Sequence, residues 1–518
     1  MRKVVAGLSA VVMGLGLALV GTGGAQAQDG AARTAGPAAK NARKTVLEPT
    51  AGVVWKRCKK PLSKKLQCGT LSVPLDHDDP FGKKITIALT RKKHTVPKSR
   101  YKGILLVNPG GPGGEGRELA TTFEDTPAAK AAAAYDVIGF DPRGVGASKP
   151  RLECSPANAK VPDDSVPANA RDERSWLNYA KRVARDCQKR FGWMLPHMRT
   201  EDTARDMDYI RAALGEEQLS FLGYSWGTAL GMTYATLFPE RVNRMVLDSI
   251  VHPSQSNYEA MFDQNKAFEK RIDQLFAWTA RRNSRYKLGT SAKKVEATYY
   301  RLRAKLKAKP VDGFGPSELD DLFTWGGYND EMWPGLASAL SLLKHGKTDR
   351  VLVLYAVLGV FGATAEPNDV YHATLCSDTP WPREWSTWRR DTLASHRVAP
   401  FISWSNTWGN APCAFWPVEE REPLQISGEG LPPILMVQAT YDAATPYVGA
   451  AEAHRLFPSS RLILEKNGGD HGVSLSGNKC VDRYVAAYLA TGEVPPDRPG
   501  PDATCAATPV PKAFTPAI

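Results

Sequence analysis

Residues 219–235 read LSFLGYSWGTALGMTYA, and the pentapeptide Gly223-Tyr224-Ser225-Trp226-Gly227 at their centre decides the fold. A short apolar run precedes the pentapeptide, and small and apolar residues suited to a buried helix follow it. In the pattern G-x-S-x-G, the serine lies on a sharp turn between strand and helix, and glycines two residues either side allow the two elements to approach closely. The sequence therefore predicts a serine nucleophile, Ser225, at the end of a buried strand, and it favours hydrolytic chemistry.

A serine hydroxyl is unreactive by itself, so the chain must also supply a histidine base and an acid that orients it. When a serine lies on such a turn, the acid follows a late strand and the histidine follows the next strand. Asp442 follows the apolar run 434–440, and His471 follows the run 462–465. We therefore expect Asp442 and His471 at adjacent strand ends, on the edge of the sheet where Ser225 lies.

Other residues compete for these two roles. Asp248 ends the strand that follows the helix after Ser225, and Asp470 is the neighbour of His471. His454 also follows Asp442, but it precedes the last strand in a helical stretch, where a surface role is the simpler interpretation. For His471 the alternative is a packed or surface position without a catalytic role.

The glycine-rich segment Asn108-Pro109-Gly110-Gly111-Pro112-Gly113-Gly114 comes directly after the apolar run 103–108. Such a loop allows a backbone N–H to turn toward a carbonyl oxygen as that oxygen becomes negative. We expect the amides of Gly111 and Trp226 to form this oxyanion hole. A phosphate-binding loop is the alternative, but no Lys-Ser or Lys-Thr follows and the prolines interrupt the pattern.

Short runs of apolar and β-branched residues alternate with helical segments along the chain, and most of the runs show no polar alternation. Strands of that kind are buried on both faces, so the sequence predicts the α/β class, with a mainly parallel sheet flanked by helices. One of the helices is expected to be capped by Asp202 and to end at Gly215. The expected strands are 85–89, 103–108, 135–141, 219–222, 245–248, 434–439 and 462–465.

Between Pro253 and Glu429 the pattern changes to helical stretches and irregular loops, without a clear run of buried strands. We interpret residues 253–429 as a cap, inserted after the strand that follows the nucleophile helix. Eight of the thirteen tryptophans lie between Trp325 and Trp416. This density fits an aromatic-walled pocket, and it fits equally a lobe whose tryptophans only pack its interior.

The 518-residue chain exceeds one ordinary domain. Its first residues, Met1-Arg2-Lys3, are basic, residues 4–20 are apolar, and Ala25-Gln26-Ala27 forms a small-residue cleavage site. Residues 1–27 therefore predict a signal peptide, for which a single membrane span is the alternative, and residues 28–45 predict a flexible leader or pro-segment. The catalytic domain is expected to comprise residues 46–252 and 430–518.

Eight cysteines fit an exported protein, because an even number suits an oxidising compartment. Many pairings are possible, and the order of the cysteines along the chain favours disulfides between nearest neighbours. Metal binding is the alternative, but no C-x-x-C motif and no close Cys/His spacing occurs, so neither a metal nor a cofactor is expected. The expected pairs are Cys58 with Cys68, Cys154 with Cys187, Cys376 with Cys413, and Cys480 with Cys505.

The chain carries a formal net charge of +13, or +11 without Arg2 and Lys3. Basic residues concentrate at 56–65 and 83–93. Nucleic-acid binding is one interpretation of these clusters, but they lack interleaved aromatic residues and flank a predicted strand. We therefore expect a solvated basic face and no nucleic-acid partner.

These motifs together resemble those of the α/β-hydrolase superfamily and, more narrowly, those of the secreted bacterial tripeptidyl aminopeptidases related to proline iminopeptidases. The resemblance covers most of the chain from about residue 50 onward. It rests on the glycine-rich loop, on Phe140-Asp141-Pro142-Arg143-Gly144-Val145-Gly146-Ala147-Ser148, on the pentapeptide with Thr228, on Asp442-Ala443-Ala444-Thr445-Pro446 and on Asp470-His471-Gly472.

The resemblance implies a serine exopeptidase that releases tripeptides from free N-termini. In this interpretation Ser225 attacks the scissile carbonyl, His471 accepts and returns the proton, and Asp442 holds the imidazole. The expected partners are the N-termini of peptides or proteins. The protein is expected to be extracellular and monomeric, without stable membrane association once the signal peptide is removed.

The resemblance also implies that acidic groups of the cap hold the ammonium of the substrate. The candidates are Asp330, Glu331 and Asp378, and for each of them an ordinary solvated or structural carboxylate is the alternative. Glu115 departs from the small residue that the family usually carries after the glycines. It either adds negative charge near the amine or points to solvent.

Other functions are compatible with the same motifs. Within the enzymes, the alternatives are a single-residue or proline-directed aminopeptidase and a carboxylesterase. From a different class, the chain could be an inactive binding protein on a hydrolase scaffold, although a complete set of Ser225, Asp442 and His471 argues against it.

Overall fold

A single sheet of ten strands runs through the residues that the computed structural model describes, which are 52–154, 161–357 and 369–513. The expected signal peptide, 1–27, and the expected leader, 28–45, lie outside these residues. The strands are β1 Lys56–Arg57, β2 Gln67–Pro74, β3 Lys84–Lys92, β4 Ile104–Asn108, β5 Asp136–Asp141, β6 Leu219–Tyr224, β7 Val242–Asp248, β8 Leu435–Ala439, β9 Arg461–Lys466 and β10 Ala503–Ala506.

The strands lie in the order β1-β2-β3-β5-β4-β6-β7-β8-β9-β10. The pairs from β1 to β5 are antiparallel, and all later pairs are parallel. The mainly parallel sheet expected from the sequence is thus confirmed. Along β4, Ile104 and Leu106 belong to one apolar cluster, whereas Leu105 and Val107 belong to another. Both faces of the strand are therefore covered, which explains the apolar runs without polar alternation.

Helices connect the parallel strands and cover the sheet. Their ranges are α1 Ala129–Ala132, α2 Ala170–Phe191, α3 Thr200–Ala213, α4 Trp226–Leu237, α5 Asn257–Ala280, α6 Asn283–Tyr286, α7 Ala292–Ala308, α8 Pro316–Tyr328, α9 Trp333–Lys344, α10 Thr348–Val357, α11 Asp369–Asp378, α12 Trp385–His396, α13 Ser403–Asn410, α14 Tyr447–Leu456 and α15 Lys479–Thr491. Within the described part of the chain, none of the helices combines the length and the apolar character needed to cross a bilayer.

Helix α3 begins two residues before the cap expected from the sequence. Asp202 lies in the first turn of the helix, and its carboxylate accepts a hydrogen bond from the backbone N–H of Arg199 at 3.1 Å. The carboxylate thus satisfies a free backbone N–H from inside the helix rather than from the residue before it. The helix ends at Ala213, two residues before the expected Gly215.

Helices α5 to α13 all lie between β7 and β8 in the chain. Helices α5 to α10 contribute to an apolar cluster that is separate from the two clusters at the sheet and that contains Phe276, Tyr299, Trp333 and Leu336. A core of its own is what an inserted lobe needs in order to fold over a sheet. We propose residues 253–429 as the cap.

Most of the cap tryptophans pack against one another. Trp381 stacks on Trp388 at 5.7 Å between ring centroids, and Trp388 lies 6.3 Å from Trp385. Trp385 in turn stacks on Trp408 at 4.9 Å. Trp176 of α2 stacks on the same Trp408 at 5.5 Å, so the row joins the cap to a helix outside it. For these residues the structure favours packing of the interior over the wall of a pocket.

All eight cysteines form disulfides, and the pairs are the nearest neighbours along the chain. Three bonds lie outside residues 253–429, and one lies inside that range. The bonds join Cys58 to Cys68, Cys154 to Cys187, Cys376 to Cys413, and Cys480 to Cys505.

Candidate active site

Ser225 lies between the end of β6 at Tyr224 and the start of α4 at Trp226. Its backbone has φ 56° and ψ −126°, a conformation that is strained for a residue with a side chain. A Cβ on Gly223 would lie 2.4 Å from the carbonyl oxygen of Gly227, so the strand and the helix meet at a distance that requires glycine. This is the sharp turn that the pentapeptide predicts.

Asp442 and His471 face each other at the ends of β8 and β9. The Nδ1 atom of His471 lies 3.0 Å and 2.9 Å from the two carboxylate oxygens of Asp442. Asp442 also accepts hydrogen bonds from the backbone N–H groups of Ala444 at 2.9 Å and Thr445 at 3.0 Å. The turn after β8 therefore fixes the carboxylate, and the carboxylate fixes the imidazole.

The second ring nitrogen of His471, Nε2, is buried and has no hydrogen-bond partner among the described residues. Because the Nδ1–H group donates a hydrogen bond to Asp442, Nε2 carries the lone pair when the ring is neutral. A neutral histidine held in this tautomer can accept a proton from a serine hydroxyl.

Asp248 connects the serine turn to the histidine loop. Its backbone carbonyl accepts from the N–H of Ser225 at 2.9 Å. Its carboxylate accepts from the backbone N–H groups of Val473, at 3.2 Å, and Ser474. Asp248 thus holds the backbone on both sides of the site, whereas Asp442 contacts the imidazole directly.

The other rival residues have partners away from the imidazole of His471. The Asp470 carboxylate accepts from the backbone N–H of Asp330 at 2.7 Å. His454 lies in α14, and its Nδ1 is 2.7 Å from the hydroxyl oxygen of Ser460. The structure therefore brings Asp442 to His471 and keeps these two alternatives apart from it.

Opposing influences act on the pKa of His471. Burial is the largest, and it lowers the pKa because the charged ring loses its hydration. The Asp442 carboxylate, through its charge and its hydrogen bond, and the charge of Asp248 raise it, and the net pKa lies above the usual 6.5. The site thus favours the imidazolium that forms when the ring accepts a proton.

The glycine-rich loop lies against the serine turn. A Cβ on Gly110 would lie 2.4 Å from the carbonyl oxygen of Tyr224 and 2.9 Å from Cβ of Ser225. Gly111, at φ +118°, and Trp226 line the same cavity as Ser225. No described residue accepts a hydrogen bond from the backbone N–H of Gly111 or Trp226. Both donors are therefore available to a carbonyl oxygen of a substrate.

The cavity at Ser225 is acidic. No lysine and no arginine occurs among the described residues that line it. Four carboxylates occur among these described residues, namely Glu201, Asp263, Asp321 and Asp378. A cavity with this charge attracts a cationic group.

Sequence reasoning missed Glu201, Asp263 and Asp321, and of these acids Asp321 is the one without a partner among the described residues. It makes no hydrogen bond and no ion pair with a described residue, and burial, followed by the charges of Glu318 and Asp320, raises its pKa well above the usual value. A signal existed in the sequence, since residues 321, 324, 325 and 328 have the spacing of one helix face, and all four line the cavity.

Of the three candidates for the amine site, only Asp378 lines the cavity. It accepts from the backbone N–H of Thr200 at 2.8 Å and from the Thr200 hydroxyl at 2.5 Å, and burial raises its pKa to about 7. Asp330 instead forms an ion pair with Arg271. Glu331 is exposed.

Glu115 is also exposed, so of its two expected roles the structure favours the one in solvent. Among the eight tryptophans between Trp325 and Trp416, Trp325 alone lines the cavity at Ser225. The wall of the cavity is therefore not a tryptophan cage; it combines apolar residues such as Met232, Met261 and Phe268 with the four described carboxylates.

Most of the chain matches a known protein family. A model of the α/β hydrolase fold matches residues 103–474, which is more than half of the chain. The match includes the glycine-rich loop, the serine turn, Asp442 and His471.

Several characterised proteins are similar to the chain over most of its length. The tripeptidyl aminopeptidase of Streptomyces lividans is 44% identical over 477 residues, which cover 89% of this chain and 88% of that protein. The serine protease Hip1 of Mycobacterium tuberculosis is 33% identical, over 83% of this chain and 86% of that protein. The carboxylesterase B of the same organism is 31% identical, over 85% and 88%.

Proposed function

The chain belongs to the α/β-hydrolase fold family and is a serine hydrolase, and we propose that it is a secreted exopeptidase that releases tripeptides from free N-termini. The observation that carries this proposal is the acidic cavity beside Ser225, which offers carboxylates and, among its described residues, neither lysine nor arginine. The similarity to a tripeptidyl aminopeptidase and to a serine protease supports a peptide substrate.

In the proposed reaction, the hydroxyl oxygen of Ser225 attacks the carbonyl carbon of the scissile bond while Nε2 of His471 takes the hydroxyl proton. The Asp442 carboxylate accepts the hydrogen bond from the Nδ1–H group and stabilises the imidazolium. The N–H groups of Gly111 and Trp226 donate to the oxygen that becomes negative. The imidazolium then returns the proton to the leaving amine, and water hydrolyses the acyl-enzyme by the same route.

We assign the binding of the substrate ammonium to the Asp321 carboxylate, with the Asp378 carboxylate of the same cavity as a second contact. The two Asp378 oxygens already accept from Thr200, whereas Asp321 has no partner among the described residues. An ammonium group beside Asp321 would supply the missing opposite charge and bring the raised pKa of this carboxyl down again. An internal segment of a polypeptide has no α-ammonium, so the arrangement favours chain ends.

Three substrates test the proposed reaction. A chromogenic tripeptide anilide with a free amine should be cleaved rapidly, and the N-acetylated anilide slowly. A short ester without an amine measures hydrolysis that does not need the acidic cavity. Equal cleavage of the free and acetylated peptides would contradict the aminopeptidase proposal, and a strong preference for the ester would favour a carboxylesterase.

The length of the released fragment distinguishes tripeptide release from single-residue and proline-directed cleavage. Mass spectrometry of the products of a long unblocked peptide should show tripeptides in succession from the N-terminus. Single amino acids, or cleavage only at proline, would contradict the proposed length. Ser225→Ala is the control in each assay, and labelling of Ser225 by a fluorophosphonate distinguishes an enzyme from an inactive binding protein.

Export is part of the proposal. The formed disulfides fit an oxidising compartment. The expected signal peptide, residues 1–27, would direct the chain there. N-terminal sequencing of protein from the culture medium should find Gln28 or a later residue first, and retention of Met1 in the exported protein would contradict a cleaved signal peptide.

A further inference from the structure

The cap contacts the loop that carries His471 through two hydrogen bonds donated by backbone N–H groups. The N–H of His471 donates to the carbonyl oxygen of Tyr328 at 2.8 Å, and the N–H of Asp330 donates to the Asp470 carboxylate at 2.7 Å. The ring of Tyr328 also meets the imidazole edge to face, with 5.5 Å between centroids. Tyr328 ends α8, the helix that carries Asp321, so one wall of the substrate cavity is joined directly to the histidine loop.

Arg271 of α5 lies at this junction and is 2% exposed. Its Nη2 forms an ion pair with the Asp330 carboxylate and lies 3.8 Å from the Asp470 carboxylate. Its Nε donates to the carbonyl oxygen of Gly327 at 3.4 Å, and its Nη1 donates to the side chain of Gln274 at 2.9 Å. One guanidinium therefore lies between an acid of the cap and an acid of the histidine loop.

The loop backbone passes very close to this guanidinium. A Cβ on Gly469 would lie 2.3 Å from Cζ of Arg271. Cζ also lies 5.0 Å from the ring centroid of Trp333 in the cap. Because the side chain is buried and held at several atoms, its position limits where the loop can run, two residues before His471.

The charges at the junction require the arginine. Burial and then the charge of Asp330 raise the pKa of Asp470 to about 7, with a further contribution from Glu465, while Arg271 acts against this rise. Without the guanidinium, Asp330 and Asp470 would face each other as like charges or one of them would be protonated. Either change alters the contact between the cap and the loop.

We propose that Arg271 is a positioning residue that sets the orientation of His471 through Asp330, Asp470 and the backbone at Gly469. The inference rests on the proposed role of His471 as the base. Proton transfer depends on the alignment of the ring with the serine hydroxyl, and a displacement of about 1 Å costs roughly 100-fold in rate. The cap then contributes to the chemical step as well as to binding.

Arg271→Gln is the direct test, and Arg303→Gln is its matched control. Arg303 is also a buried arginine of the cap, but it pairs with Asp164 and Asp320, at 2.6 and 2.7 Å, instead of with the histidine loop. The readouts are kcat and KM for the tripeptide anilide and the rate at which a small fluorophosphonate labels Ser225. The fluorophosphonate needs an aligned His471 but no peptide subsites.

For Arg271→Gln we expect kcat and the labelling rate to fall together by roughly 10- to 100-fold, with KM nearly unchanged. Arg271→Lys keeps the charge without the planar fork and should restore part of the rate. Arg303→Gln, at a temperature where it is folded, should label as fast as the wild type. Labelling of Arg271→Gln at the wild-type rate, or equal slowing in both variants, would overturn the proposal.

Two further variants complete the test. If Arg271→Gln does not fold, Asp330→Asn takes its place under the same criteria, because it removes the ion pair of Arg271 and keeps the N–H that donates to Asp470. His471→Ala distinguishes the proposed base, His471, from the proposed positioning residue, Arg271. Turnover by His471→Ala would refute the base itself, whereas an inactive His471→Ala beside an unimpaired Arg271→Gln would refute only the positioning role.

Discussion

The imidazole of His471 faces both carboxylate oxygens of Asp442, with Nδ1 2.9 and 3.0 Å from them. This contact selects the tautomer in which Nε2 holds the lone pair. Replacing the carboxylate by an amide of the same shape would remove that selection and leave the volume unchanged.

We predict that Asp442→Asn lowers kcat by roughly 10⁴-fold, because the ring is then held in the wrong tautomer and the imidazolium loses its counter-charge. The measurement is turnover of the tripeptide anilide, with circular dichroism to verify the fold. His454→Ala is the control and should keep its activity, since His454 lies in α14 and contacts Ser460. Activity of Asp442→Asn close to that of the wild type would assign the orienting acid elsewhere.

We predict that kcat/KM falls as the pH drops through a pKa above 6.5. The sign follows from the base, because protonation at low pH removes the lone pair on Nε2. Burial lowers the pKa of His471, but the Asp442 carboxylate together with the charge of Asp248 outweighs it and raises the pKa above its usual value. The profile should be measured with the ester, which has no amine, so that titration of Asp321 and Asp378 does not affect it. An acid limb centred well below 6.5 would contradict the prediction.

We predict that Asp321→Asn raises KM for the free-amine tripeptide anilide by roughly tenfold or more, because a buried charge pair with the ammonium is lost. KM for the ester should not change. Asp263→Asn is the matched control, since Asp263 already has Lys266 at 3.3 Å as a partner, and its effect should be smaller. A similar rise for free and N-acetylated peptides would show that Asp321 does not bind the amine.

We predict that Gly110→Ala abolishes turnover and lowers the free energy of unfolding by roughly 2 kcal/mol or more. The new Cβ would lie 2.4 Å from the carbonyl oxygen of Tyr224 in the serine turn. Gly430→Ala is the control, because Gly430 has a similar positive φ, +75° against +92°, but no atom of the described residues that could clash lies within 4 Å of the added Cβ. Urea denaturation of both variants separates the cost of the backbone angle from the cost of the contact, and equal destabilisation would show that the contact does not matter.

Much of the sheet could be predicted from the sequence, because strands covered on both faces read as short apolar runs. The two short edge strands, β1 and β10, were missed, as was β2. A two-residue strand such as Lys56–Arg57 has no periodicity to detect, and β2 mixes exposed polar residues with a glycine and ends at Pro74. Their positions depend on pairing with strands that are distant in the chain.

The elements of the candidate site were predicted unequally well. The order of Ser225, Asp442 and His471 could be inferred because each follows an expected strand, and the structure places Asp442 against His471. The acids of the cap do not follow a predicted strand, so the sequence does not indicate where their side chains lie. Asp321 and Asp330 are both carboxylates in aromatic stretches of the sequence. Asp330 pairs with Arg271 and Asp321 lines the cavity, and only the packing of α5 against α8 shows this difference.

No disulfide joins the proposed cap to the rest of the chain, since Cys376 and Cys413 both lie within residues 253–429 and the other six cysteines lie outside. The covalent connections between the two parts are therefore only the chain segments that enter the cap after β7 and leave it before β8. Disulfide formation therefore stabilises the cap and the rest of the chain separately and does not link the two covalently. Reagents that reduce the disulfides would loosen each part separately and would leave the non-covalent contacts between the two parts in place.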